Sequence, residues 1–393
     1  MSSEIYIVDK LVMGHNHVMF NAAFSTMISH LFRERKVVFI GEEKHVSLVE
    51  KRNGNISNIR YEGYQELPLP EKKLAKVLPW IRKKLGDILF IRKVYSRVAS
   101  ESSVFFTCLS TTSLYYANYK ARRGNKEVFF VLHGEVEFLF KKELRLADKI
   151  KGKLYRRLLS KLGKRTKVIV LSEIVKEALV KDNLVRPEQI VTIEHPLVGQ
   201  VPERHPLNVD KLIFGHLGVA MSKKGSSCFF EMAARLSQAA ALGRAEFHLV
   251  GRVEDGFIVE QNTPVKILSK NNKSIEELDY ANFIRDVDYA VFTFDSDNYV
   301  FRVSGSLMDA LFYGKPIIAF KQPYFQYLFD KGGNIGFLCE GPEEMKVLLE
   351  RLINKDEELI AQYKEQAKNV HLLLERFLIK NVENQLHKQL SDN

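Results

Sequence analysis

The chain has 393 residues, 59 Lys and Arg against 48 Asp and Glu, a formal net charge of +11 and three cysteines. That length exceeds one ordinary core, and 46% hydrophobic with 27% charged residues is the composition of a folded protein, which excludes wholesale disorder and collagen-like repeats. Cys108, Cys228 and Cys339 lie more than 100 residues apart with no CxxC or His-rich spacing, so neither a disulfide framework nor a zinc site is expected.

The N-terminus has no basic segment followed by an apolar stretch, and no run approaches the roughly 20 apolar residues of a spanning helix. A cytoplasmic protein, soluble or peripheral on the inner face of a membrane, is therefore expected. Short apolar runs then alternate with helical patterns, the mark of parallel α/β sheets. Strands are predicted at Ile5–Val8, Val37–Ile40, Val104–Leu109, Val128–Leu132, Val168–Leu171 and Ile190–Ile193. Val198 to Asp210, with Pro202 and Pro206, reads as a linker. Beyond it strands are predicted at Leu212–Leu217, Glu246–Val250, Val265–Leu268, Tyr289–Phe294, Pro316–Phe320 and Ile335–Leu338, followed by a helical pattern from Asp356 to the end. The expected organisation is a basic Rossmann-like domain over 1–198, a second over 199–355, and a helical segment over 356–393 that packs back toward the first.

The charge is unevenly divided. Up to Gln200 there are 36 basic and 21 acidic residues; beyond it there are 23 and 27. Within the first half, 72–97 carries nine basic residues and one acid, and 141–167 carries twelve and two. Both have helical apolar stripes: Leu74, Val77, Ile81, Leu85 and Ile88 in one, Ile150, Leu154, Leu158 and Leu162 in the other. Two basic amphipathic helices suit an anionic membrane surface; the plainer alternative is that each stripe packs on its own domain.

The stretch from Tyr289 to Phe320 reads strand, polar loop, helix, glycine turn, strand. Ser304-Gly305-Ser306 opens the helix, where backbone N–H groups and the helix dipole favour phosphate oxygens. Arg302 stands just before and Asp309, one turn in, is placed to accept ribose hydroxyls. An ordinary Ser cap with a solvated Asp309 fits the same spacing.

These stretches, in this order, resemble the GT-B glycosyltransferases, and most of all family 4 of the nucleotide-sugar-dependent enzymes. The likeness runs over roughly residues 165 to 350. Its carriers are Gly215, Gly218, Lys223, Lys224 and Gly225 in and after the first strand of the second domain, Gly251 and Arg252 after the next, and Asp309 through Gly314-Lys315-Pro316. The resemblance implies two Rossmann-like doubly wound domains facing across a cleft. It implies a nucleotide-sugar donor held by the second domain, a glycan or lipid-linked acceptor held by the first, surface polysaccharide synthesis as the setting, and no metal or other cofactor. Lys224, with Lys223 beside it, matches the lysine on the donor diphosphate, and Asp309 matches the second of the family's two glutamates. Phe301 stands where the family has the first. Asp295-Ser296-Asp297 is a loop or sugar contact, not a metal motif.

In the first domain, His133-Gly134 matches a strand-end His-Gly of the family, so His133 is the candidate contact near the anomeric carbon, and Glu135 is a base for an inverting reaction. The loop Gly14-His15-Asn16-His17 is an acceptor-side candidate. His15 and His17 have no third ligand nearby in sequence, so no metal is expected there. His195-Pro196 matches a hinge. The alternatives are a non-catalytic or chaperone-like protein of the same fold, or a sugar-nucleotide epimerase. No helix-turn-helix cue, zinc pattern or RNP-like sequence supports nucleic-acid binding, despite a pI near 9.3.

Overall fold

Seven segments pair into one parallel sheet: β1 (Ile5–Asp9), β2 (Val37–Glu42), β3 (Ile59–Tyr64), β4 (Ser103–Cys108), β5 (Glu127–Leu132), β6 (Thr166–Val170) and β7 (Ile190–Thr192). Their order is β3-β2-β1-β4-β5-β6-β7. β1, β2, β4 and β5 are buried almost throughout, as strands covered on both faces must be. In the computed structural model the described residues are 4–65, 77–141, 146–199, 201–202, 207–260, 262–270, 275–294 and 300–391.

Around this sheet lie α1 (Val18–Leu31), α2 (Glu43–Asn53), α3 (Val77–Arg97), α4 (Thr111–Arg123), α5 (Glu137–Phe140), α6 (Leu146–Leu159) and α7 (Glu173–Lys181). A second parallel sheet has the order β10-β9-β8-β11-β12-β13. Its strands are β8 (Leu212–Leu217), β9 (Ala245–Arg252), β10 (Val265–Ser269), β11 (Tyr289–Phe292), β12 (Ile317–Phe320) and β13 (Gly336–Cys339). Both sheets therefore run third-second-first-fourth from one edge and reverse direction beside their first strand, the doubly wound arrangement expected. The second sheet carries α8 (Ser226–Arg235), α9 (Ser237–Ala241), α10 (Glu277–Arg285), α11 (Gly305–Phe312), α12 (Pro323–Gly332), α13 (Pro342–Ile353) and α14 (Glu357–Leu374); α15 (Ile379–Ser391) ends the chain. Phe214, Phe229, Phe247, Tyr289 and Leu349 are buried together in its core.

Two compact units result. One comprises 1–139, 144–198 and 377–393; the other comprises 140–143 and 199–376. The helical segment expected over 356–393 is divided between them. In the second unit, Gln366 of α14 lies buried and accepts the Tyr289 hydroxyl at 3.2 Å. In the first unit, α15 buries Val382 and Leu386, and its Gln385 and Gln389 side chains accept the backbone N–H groups of Glu194 and Thr192 at 2.9 and 2.8 Å. These glutamines stand beside β7, the last strand at that edge of the sheet.

β3 is the strand that the sequence pattern misses. Among the described residues it pairs with β2 alone, and Arg60, Glu62 and Gly63 interrupt its apolar residues, as suits a protected edge. The basic helices also depart from the plainer packing. On α3 the residues that pack inward are Ile91, Val94 and Tyr95, while Ile81, Leu85 and Leu89 lie exposed one turn apart. On α6, Leu158 and Leu159 pack inward while Leu146, Ile150 and Leu154 are exposed. Of the predicted segments, 72–76 and 142–145 lie outside the described residues.

Candidate functional site

In the second unit, candidate residues gather where β8 and β11 meet, the point at which the strand order reverses and where α/β sheets bind ligands. The chain leaves β8 through Gly218, whose φ of +87° favours glycine. Its N–H donates to the Val250 carbonyl at 2.8 Å. Gly251 lies against it so closely that a Cβ there would stand 1.7 Å from the Gly218 carbonyl oxygen, so backbone contact requires glycine at 251. Past Gly218 the chain turns through Lys224 and Gly225, which starts α8 at φ +64°. The Thr293 hydroxyl at the end of β11 donates to the Gly225 carbonyl at 2.8 Å and holds this turn against the sheet.

The two neighbouring lysines separate. Lys223 is exposed, whereas Lys224 is buried with its Nζ 3.5 Å from the Ser306 Oγ. A Cβ on Gly218 would meet that Nζ at 3.1 Å and the Ser306 Cβ at 3.2 Å, so the three residues share one small space. Burial pushes the Lys224 ammonium down to about 8; Asp309 opposes the shift and Arg302 adds to it, so both charges lie close by. Ser304, at the start of α11, and Ser306 are buried with their hydroxyls 2.8 Å apart, and Gly305 between them is exposed. One Asp309 carboxylate oxygen accepts the Tyr280 hydroxyl at 2.8 Å. Tyr280, on α10, is a site residue that no motif singles out. Beneath Lys224, His216 is buried and neutral, its imidazole pushed down to about 3 by burial and by the Lys224 charge; it stands 3.0 Å from the Ser226 hydroxyl.

Arg252 ends β9 and is half-buried. Phe301 packs edge-on against Phe140 with ring centroids 4.9 Å apart, so an apolar contact occupies the position of the family's first glutamate. Asp295 and Asp297 lie outside the described residues.

In the first unit the candidates gather at the equivalent place, where β1 and β4 meet. Asp9, at the end of β1, is buried and accepts from the Asn21 amide at 2.7 Å, the Thr107 hydroxyl at 3.2 Å and the Val12 N–H at 2.9 Å. The following loop carries His15, Asn16 and His17, all exposed. His17 begins α1 in the left-handed region at φ +55°. Its ring meets that of His133 edge-on at 5.0 Å. Phe20 contacts His133 at 4.5 Å and His195 at 5.1 Å, so one aromatic ring orients two histidines. Burial, with the nearby His17, pushes His195 down to about 4. The Glu135 carboxylate accepts the His133 backbone N–H at 2.9 Å. The sequence reading finds no third ligand beside His15 and His17. The fold brings Cys108, at the end of β4, and His133 together with His17 in a group from which His15 is absent.

No protein-family model and no curated protein sequence matches the chain. Solved structures do. HepE of Anabaena, determined with UDP-glucose, is 14% identical with a TM-score of 0.63, and the match covers 99% of both chains. TarM of S. aureus, determined with fondaparinux, α-GlcNAc-glycerol and UDP, is 11% identical with a TM-score of 0.65, over 99% of both. A glycosyltransferase from Rickettsia africae is 14% identical with a TM-score of 0.60, over 100% of this chain and 99% of that one. The two doubly wound sheets and these end-to-end matches give the chain the GT-B fold.

Proposed function

We propose that the protein is a glycosyltransferase that moves a sugar from a nucleotide-sugar donor to a glycan or lipid-linked acceptor in surface polysaccharide assembly. The observation that carries this reading is the convergence of Gly218, Lys224, Ser306 and Asp309 at the reversal point of the second sheet. In that role Lys224 and Arg302 face the donor diphosphate, the start of α11 presents N–H groups to its oxygens, and Asp309, held by Tyr280, takes the ribose. The bond from the anomeric carbon to the β-phosphate oxygen breaks, and its electron pair stays on the diphosphate, where the cations stabilise it without a metal. The acceptor hydroxyl oxygen bonds to that carbon. His133 contacts the sugar, and in an inverting reaction Glu135 takes the hydroxyl proton. The structures of HepE and TarM with UDP-glucose and with UDP support the choice of donor class.

A thermal-shift screen against UDP, GDP, TDP and CMP sugars tests the donor reading. A ligand at about 100 times its Kd adds about 2.7 kcal/mol of stability. One nucleotide class should raise the Tm; no shift with any of them counts against the site.

The exposed rows on α3 and α6 support a peripheral membrane role. Arg82 and Arg92 flank the first row and Lys149, Lys153 and Arg157 the second, all of them exposed. Between α3, α4 and α6 an apolar hollow of about 460 Å³ opens, lined by Ile88, Tyr115, Tyr116, Tyr119 and Leu154. Among the described residues no helix is long and apolar enough to cross a membrane. Changing Lys149, Lys153, Arg157 and Lys161 to Glu removes cations worth about 1 kcal/mol each near an anionic surface, so partitioning onto phosphatidylglycerol vesicles should fall by at least about 100-fold. Arg156 is left in place because it bonds the Leu139 carbonyl and Asp182. Unchanged sedimentation with such vesicles would remove the membrane reading and leave the donor site standing.

A further inference from the structure

His17, Cys108 and His133 come from three separate elements, yet each brings one ligand atom to within 4.8 Å of the other two. In a tetrahedral zinc site, with bonds of about 2.0–2.1 Å to nitrogen and 2.3 Å to sulfur, ligand atoms stand about 3.3–3.8 Å apart. Closing the group therefore takes shifts of about 1 Å, within reach of side-chain rotation. Cys108 is buried at the end of β4, His133 is half-buried at the end of β5, and His17 is exposed, which gives a floor of two ligands and an open side for entry.

The surroundings fit a cation. His17 holds a left-handed backbone conformation that non-glycine residues rarely adopt, and this conformation starts α1 at the place where its ring meets His133. Phe20 packs against the His133 ring and limits its rotation. Neutral imidazoles with one thiolate are the donor set of borderline-soft metals.

We infer that His17, Cys108 and His133 form a binding site for a borderline-soft divalent cation, Zn²⁺ foremost, with the fourth position open. On binding, the Cys108 thiol gives its proton to solvent and its sulfur bonds to the metal; no redox step is involved. Occupation of the site engages the His133 imidazole. The binding stands independently of the donor reading.

Titration of the full-length, metal-free protein with Co²⁺ tests it. One equivalent should bind with a thiolate-to-cobalt charge-transfer band and tetrahedral d–d absorption, and Zn²⁺ should displace it. Cys108→Ser should abolish the thiolate band, and Cys108→Ser and His17→Ala should each weaken binding at least tenfold, while His15→Ala binds like the wild type. Circular dichroism separates these effects from misfolding. Absence of the band in the wild type, or wild-type affinity in both Cys108→Ser and His17→Ala, overturns the site.

Discussion

Lys224→Met should weaken binding of the preferred nucleoside diphosphate by about 10- to 100-fold, the cost of losing one charge-assisted hydrogen bond at about 1.5–3 kcal/mol. Its ammonium is buried, so little solvent screens its interaction with a phosphate. The free protein should tolerate the change, because a buried cation is replaced by an apolar side chain of similar length. Burial lowers the folded ammonium to about 8 from 10.5. The unfolded chain thus holds a proton on this residue between about pH 8 and 10.5 that the folded chain has lost, so this residue makes stability rise with pH across that window. Lys224→Met should remove that rise from a urea-denaturation series. Ligand binding has the opposite sign: only the protonated form attracts phosphate, so affinity should fall as pH rises through about 8 in the wild type and stay flat in the variant. Calorimetric titration at pH 7 and 9 measures both. Equal affinity for wild type and variant at pH 7 would detach Lys224 from the diphosphate.

The second large effect is on turnover. His133→Ala should lower the rate of donor consumption by about 10²- to 10³-fold, the range for removal of one side chain that stabilises charge at the reacting centre. Nucleotide Kd should stay near the wild-type value, because His133 belongs to the first unit and the proposed nucleotide contacts to the second. A parallel loss of affinity and rate would make the residue structural.

Much of this arrangement is legible in the sequence, and for a physical reason. Central parallel strands are apolar on both faces, so the continuous apolar runs Ile5–Val8, Val37–Ile40 and Val128–Leu132 mark β1, β2 and β5. β3 is not so marked, because an edge strand alternates with Arg60 and Glu62. The glycine turns are legible because Gly218 and Gly225 hold positive φ and backbone contact leaves no room for a side chain at Gly251. Contacts between distant segments are less so. Tyr280 meets Asp309 across 29 positions, and Cys108 meets His17 only because β1 and β4 are neighbours in the sheet. The apolar stripe of α3 is legible only in part: periodicity shows that Ile81 and Leu85 share a face, but not that Ile91 and Tyr95 are the residues that turn inward. The net charge of +11 gains meaning only when divided, since the excess lies in the half that carries the exposed helices and the donor candidates lie in the other.

Phe301 keeps a second reading in play, a GT-B protein that binds a nucleotide sugar without transferring from it. The measurement that separates the two is release of nucleoside diphosphate from a panel of nucleotide sugars by the wild-type protein, with and without a lipid-linked acceptor fraction. A transferase should consume at least one donor, faster with acceptor, and should lose that activity in His133→Ala. Binding of a nucleotide sugar with no consumption under either condition would contradict the account.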